Sequence, residues 1–343
     1  VCVVYELESK KELFRLTGHT NAVRVIAFTP DGTQVATGAA DRTIRFWDAA
    51  IGGTSSQLGI FRLDRDVLAR NPDLVFVDFS ANDGLSVATP ETLASYEAII
   101  RRLVEEAKVP VVQVVFPFQW DVARGHLDGL LRRDAHHRIA QAYHTAIGDA
   151  VELAQQRVKT GATTIPMLWP YDGVHPGDEG YSLFADAAWA AFENAITDQR
   201  VCQSPARMLH ASTYMHTARV RISSLGNLPV GWNGGRPNVV SAYFDMLMSR
   251  WLDDETIVAN HGKISVGRGE PEQVAAAIEP LTVCFRGNSV LVFGESTKSS
   301  GKFRAIVDGR LVERKDHAGK AMPPEFDASH LSRIVGGNTH FYA

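Results

Sequence analysis

Three short stretches of this chain hold residue types whose spacing could do chemistry. The first is Tyr171-Asp172-Gly173-Val174-His175-Pro176. An aspartate three residues ahead of a histidine, across a tight turn, can bring its carboxylate to Nδ1 of the imidazole. That fixes the tautomer and leaves Nε2 free to take a proton from a nucleophile. The second runs from Pro72 to Asp83, where an apolar run ends in Asn82-Asp83. The Asn82 amide can donate to a developing oxyanion, and Asp83 can brace the loop. The third is Ile51-Gly52-Gly53-Thr54-Ser55-Ser56. Paired glycines let the backbone approach a ligand, so the Gly53 N–H is a candidate second oxyanion donor. As a phosphate loop this stretch fails, for it lacks the lysine and the spacing. Read singly, each stretch also fits an ordinary polar turn.

The elements needed to position these residues are legible around them. Leu74–Phe79 and Val111–Phe116 are continuous apolar runs suited to buried parallel strands. Helical spacing is predicted over Tyr96–Lys108, Asp134–Lys159 and Gly180–Ile196. Strands alternating with helices imply a parallel sheet covered on both faces. In such sheets ligands bind at the carboxyl ends of the strands, where Asn82 and Asp83 would stand. His136, His137 and His144 are expected on the solvated face of the long helix. Beyond residue 205 a helix is predicted over Val240–Leu252, and strands over Leu281–Phe285, Ser289–Phe293 and Phe303–Val307. Asp308-Gly309 is a strong hairpin turn. A small β-sandwich or jelly-roll module is the expectation, and core packing the expected role of Trp232 and Trp251.

Taken in order, the three stretches resemble the blocks of SGNH/GDSL hydrolases over about residues 49–198, and DGVHPGDEGYSLFADAAW continues the likeness through the last helix. The resemblance implies a flavodoxin-like three-layer α/β/α domain. It implies that His175 and Asp172 are base and acid, and that Gly53 and Asn82 line the oxyanion hole. The substrate implied is an acyl ester or an acetyl ester on carbohydrate, with no cofactor and no metal. Ser80 stands where the family has a glycine. A larger departure concerns the nucleophile, a serine in a Gly-Asp-Ser motif after the first strand. Upstream of Gly53 there is no such motif. If Val23–Phe28 filled the place of that strand, Thr29 or Thr33 would lie near the nucleophile position. Gly294-Glu295-Ser296-Thr297 echoes the motif, but a hairpin follows it instead of a helix, and Ser55 and Ser56 are poorly placed to attack. The nucleophile is therefore unassigned. The alternatives are a non-catalytic carbohydrate- or partner-binding protein and a scaffold fragment.

The segment before the glycines has a different grammar. A GH pair, an FTPDG turn, ATG and ADRTIRFWD resemble one WD repeat, in which His19, Thr37, Asp41 and Trp47 would form a hydrogen-bonded network. No second copy follows, and one blade cannot bury both its faces. The organisation expected is thus 1–48 WD-like, 49–200 hydrolase-like without its first strand, and 201–343 β-rich. Composition is ordinary, with 45% hydrophobic and 22% charged residues and a formal net charge of −4. No apolar run is long enough to span a bilayer, and the mild acidity argues against general nucleic-acid binding. Three cysteines, Cys2, Cys202 and Cys284, are too scattered for a disulfide framework or a metal knuckle. The chain opens at Val1 inside a strand-like run, so a missing N-terminus is expected.

Overall fold

The architecture is that of a computed structural model. It describes residues 53–84, 89–220, 226–235, 256–259, 278–298, 300–316, 319–330 and 339–342, together with four N-terminal strands. Two units are distinct, Val1–Ala50 and Ile51–Ala343. In the first, β1 (Cys2–Tyr5) pairs antiparallel with β2 (Glu12–Leu16), and β3 (Val23–Phe28) with β4 (Val35–Ala39). Val23–Phe28 is thus a hairpin strand in a two-stranded sheet, which corrects its expected use as a parallel strand. His19, Asp41, Trp47, Thr29 and Thr33 lie outside the described residues.

The second unit is built on a parallel sheet of β5 (Val75–Val77), β6 (Val111–Val115) and β7 (Ala146–Asp149), in that spatial order. Helices connect and cover it: α1 (Ser56–Asp66), α2 (Pro90–Arg102), α3 (Gln119–Ala123), α4 (Leu131–Ala142), α5 (Ala150–Thr160), α6 (Ile165–Leu168) and α7 (Asp178–Thr197). Successive strand residues point to opposite faces. Val111 accordingly packs with Ile60 of α1, Ile99 of α2 and Ile139 of α4, whereas Val112 packs with Ala191 of α7. That is the expected three-layer arrangement. Thr89 caps α2, accepting the Thr92 N–H at 3.2 Å, and Pro90 opens the helix where no N–H is needed. The buried Gln113 on β6 is satisfied by Tyr96 Oη, which donates to it at 2.9 Å, and by Thr145 Oγ1 at 2.6 Å.

One predicted element divides. The helix expected over Asp134–Lys159 is α4, a turn with His144 at φ 52°, then β7 and α5. An apolar residue every fourth position looks continuous in sequence, but the sheet needs a third strand between the two helices. Gly148 makes that strand possible: a Cβ there would stand 2.7 Å from the Ala187 carbonyl oxygen of α7. Asp149 then starts α5 by accepting the Glu152 N–H at 3.1 Å. Gly148→Ala should force β7 and α7 apart and cost about 1–3 kcal/mol in urea denaturation. An unchanged midpoint would remove close strand–helix contact as the reason for the glycine.

The break also relocates a histidine. His136 is fully buried, with its ring 4.6 Å from that of Tyr96 and Nδ1 bonded to the Arg132 carbonyl at 2.8 Å. Burial holds its pKa down to about 4, so it is neutral. His137 faces Asp149 at 2.9 Å, and only His144 stands out in solvent as expected.

Past Tyr214 the described residues form short two-stranded ladders. Phe293–Ser296 pairs with Thr339–Tyr342, and Trp232–Gly235 with Thr256–Ala259. Neither Leu281–Phe285 nor Ser289–Val292 is a strand, and Phe303–Val307 divides between two ladders. Asp308 and Gly309, at φ 50° and 75°, make the expected hairpin turn between Ile306–Val307 and Arg310–Leu311. Among the described residues no buried hydrophobic side chain lies beyond Tyr214. Val240–Leu252, Trp251 included, falls outside the described residues. Trp232 Nε1 donates to the Glu279 carbonyl at 2.8 Å.

Candidate active site

The loop leaving β5 is folded tightly by its own polar groups. The N–H groups of Asn82 and Asp83 both donate to the Phe79 carbonyl, at 3.1 and 2.9 Å. Ser80 donates to Asp78 Oδ1 through its N–H (2.8 Å) and its hydroxyl (2.6 Å), and Ser80 Oγ accepts the Phe116 N–H at 2.9 Å. The hydroxyl therefore links the carboxyl ends of β5 and β6, a bond that a glycine could not make. Arg132 adds a second tie, donating to the Ser80 and Phe116 carbonyls, each at 2.9 Å, and to Asp121 at 2.6 Å. It is almost wholly buried, so its charge must be matched by these acceptors. Neither Arg132 nor Asp121 was legible in the sequence.

Asn82 stands exposed at the tip of this loop, while Asp83 turns inward and is buried. Asp83 Oδ1 accepts the Ser56 N–H at 2.7 Å, and its carbonyl accepts Thr92 Oγ1 at 3.1 Å. The carboxylate thereby holds the first turn of α1 against the β5 loop. Burial, more than the repulsion of Asp78, pushes the Asp83 pKa up to about 7. Gly53, exposed and at φ 68°, leads into that turn in a conformation that favours glycine. Ser55 and Ser56 are buried, and Ser56 Oγ bonds to the Thr92 carbonyl at 3.0 Å and to Ser95 Oγ at 2.7 Å. Ser56 thus joins α1 to α2, the Ser55 hydroxyl is buried without a hydrogen-bond partner, and neither is exposed to a ligand.

Asp172 and His175 meet as expected. Asp172 Oδ2 lies 3.0 Å from His175 Nδ1, and Oδ1 accepts the N–H groups of Val174 (2.7 Å) and His175 (2.6 Å). The His175 backbone N–H leads the bonds that hold the Asp172 pKa at about 2, so the carboxylate stays ionised at any working pH. Both side chains are exposed, His175 at 75%. The turn is seated on α3, just past the carboxyl end of β6: the Gln119 N–H donates to the Gly173 carbonyl at 2.9 Å. A Cβ on Gly173 would come within 3.0 Å of Gln119 Oε1 and 3.3 Å of Trp120. The Asp172–His175 turn and the Asn82 loop thus both stand at the carboxyl edge of the sheet, tied through Arg132, Ser80 and Phe116. Ser296 does not join them, being buried in a strand paired with residues 339–342. No cluster of three or more potential metal-ligating side chains occurs among the described residues.

Residues 23–183 match the model of the GDSL-like lipase/acylhydrolase family. The matched span runs from β3 into α7 and includes every candidate residue except Ser296. Among solved structures, a two-domain esterase active on acetylated mannans is 26% identical, aligned over 54% of this chain and 48% of its own, with a TM-score of 0.44. The same esterase co-crystallized with mannopentaose aligns over 86% and 68% at 18% identity, with a TM-score of 0.48. The acetylxylan esterase Axe2 of Geobacillus stearothermophilus is 22% identical over 40% of this chain and 68% of its own, with a TM-score of 0.31. Curated relatives match only in short stretches. Protein Mut11 of Chlamydomonas reinhardtii is 57% identical over 37 residues, 11% of this chain and 10% of that protein. The B-type cell cycle switch protein ccs52A of Medicago truncatula is 36% identical over 70 residues, 19% and 15%. The chain thus spans 15% or less of these two curated relatives. No helix among the described residues is long and apolar enough to cross a membrane.

Proposed function

We propose that the second unit binds small-molecule or carbohydrate esters in an SGNH-type site that has kept its acid–base pair and oxyanion donors but not its nucleophile. The observation that carries this reading is the Asp172–His175 turn, in which one carboxylate accepts two backbone N–H groups and the imidazole Nδ1. That grip leaves Nε2 as the working nitrogen. Asp172 orients and stabilises the imidazolium, His175 serves as base, and Gly53 N–H with the Asn82 amide would receive the carbonyl oxygen. Asp83 ties the loop that carries Asn82 to the start of α1, three residues after Gly53, through the Ser56 N–H. Ser55, Ser56 and Ser296 are each buried, so none is offered to the base.

A triad site without its nucleophile retains about 10³–10⁴-fold acceleration over water. Treatment with a fluorophosphonate should therefore leave the folded chain without a stoichiometric adduct, and phenyl acetate hydrolysis should stay within that range. A single modified serine or threonine, lost in His175→Ala, would replace this reading with that of an active esterase. Phenyl acetate hydrolysis no faster than in buffer, unaffected by His175→Ala or Asn82→Ala, would remove the ester site altogether.

A further inference from the structure

Beside the acid–base turn lies an aromatic surface that the proposed chemistry does not use. Trp120, the second residue of α3, is 44% exposed, and Tyr171, next to Asp172, is 87% exposed. Isolated exposed aromatics are common, but this pair flanks the Asp172–His175 turn and Trp120 is held by stacking. Its indole stacks on Phe118 with ring centroids 4.7 Å apart and planes 23° apart. Phe118 is itself buried and lies under the Arg132 guanidinium, 4.6 Å from its ring centroid. The edge of the indole also abuts Gly173, whose Cβ, were there one, would be 3.3 Å away. An apolar plane is therefore fixed in water at the rim of the Asp172–His175 turn, with the Gln119 amide beside it.

Resting on the ester-site reading, we propose that Trp120, with Tyr171 and Gln119, is the subsite for a pyranose ring carrying the ester. In acyl transfer the base returns its proton to the departing alkoxide, so the alcohol half of the ester lies on the histidine side of the site. Groups built against the His175 turn therefore meet the alcohol and not the acyl group. A pyranose presents a flat face of C–H groups to an aromatic plane and a rim of hydroxyls to an amide and a phenol. A flexible alkyl alcohol has neither the flat C–H face nor the hydroxyls, so it gains little from this plane and amide.

Saturation-transfer NMR on the full chain tests this with methyl 2-O-acetyl-β-D-glucopyranoside, hexyl acetate and unacetylated methyl β-D-glucopyranoside as probes. Ring protons of the acetylated sugar should receive saturation, and Trp120→Ala should weaken its binding about three- to tenfold while sparing hexyl acetate. Trp120→Phe should keep affinity within about twofold, since it retains an aromatic face. Saturation confined to the acetyl methyl, equal effects of Trp120→Ala on both esters, or no binding of the sugar ester would overturn the subsite. Ring saturation that is lost in Trp120→Ala but equal for the unacetylated sugar would keep the subsite and remove the ester reading.

Discussion

Glu97→Ala is expected to destabilise the second unit by about 3–5 kcal/mol, the largest loss foreseen for any single side chain here. Glu97 projects from the middle of α2 and has no solvent exposure. Its Oε1 accepts Tyr143 Oη at 2.8 Å and the Leu209 N–H at 2.7 Å, while Oε2 accepts the His210 N–H at 2.8 Å and faces His210 Nδ1 at 2.7 Å. Alanine would leave these donors without their acceptor in a water-poor site, and each orphaned group carries its own desolvation penalty. The carboxylate also anchors the segment that follows α7 on its return across α2. Arg101 helps by donating to the Pro205 carbonyl at 3.1 Å. Farther along, Tyr214 is buried against the same core and its hydroxyl accepts from Gln57 at 2.9 Å, one residue from the Ser56 N–H that Asp83 holds. Glu97→Gln keeps one carbonyl oxygen and should lose about half as much. Urea denaturation followed by far-UV circular dichroism measures both. A loss below about 1 kcal/mol for the alanine variant would mean the return segment is not held by this carboxylate.

Glu97 also marks the limit of what the sequence discloses. In sequence it is one acidic residue in an amphipathic helix, and its partners lie 46 to 113 residues away. Arg132 is equally silent, since its role is to join the ends of two strands that come together only in the fold. What was legible is what local spacing controls: the apolar runs that became β5 and β6, the final helix, the Asp308-Gly309 turn and the Asp172–His175 contact. The Asp–His pair is readable because three residues and a glycine suffice to close the turn. The division of the predicted helix at 134–159 was not readable, because its cause is the approach of Ala187 to Gly148 across the sheet. Ser80 shows the same limit at the site itself. By type it looks like a tolerated replacement, yet its hydroxyl bridges two strands.

Asp83 should make the stability of this unit fall as the pH rises. Its carboxyl titrates at about 7 in the folded chain, against 3.8 for a solvated aspartate, chiefly because it is buried. Between these values the folded state binds a proton that the unfolded state has released, so the stability of folding declines with pH across that window. A shift of this size corresponds to on the order of 4 kcal/mol, fully felt above pH 7 and absent below about pH 4. Asp78, raised by burial to about 6, acts in the same direction over a narrower range. In Asp83→Asn the amide oxygen can still accept the Ser56 N–H, but the NH₂ puts two unpartnered donor hydrogens at the buried place of Oδ2, where the protonated acid has one. That variant should be less stable than the parent at pH 5, by about 1–3 kcal/mol. At pH 8 the parent has a buried charge to hold and the variant has none, so the order should reverse. Urea midpoints of both proteins at the two pH values decide it, and parallel pH profiles would show that Asp83 is not the titrating group. If the curves cross, the residue beside the two proposed oxyanion donors is also one that ionises near neutral pH. The grip on Ser56, and with it the placement of Gly53 and Asn82, would then be set partly by proton concentration.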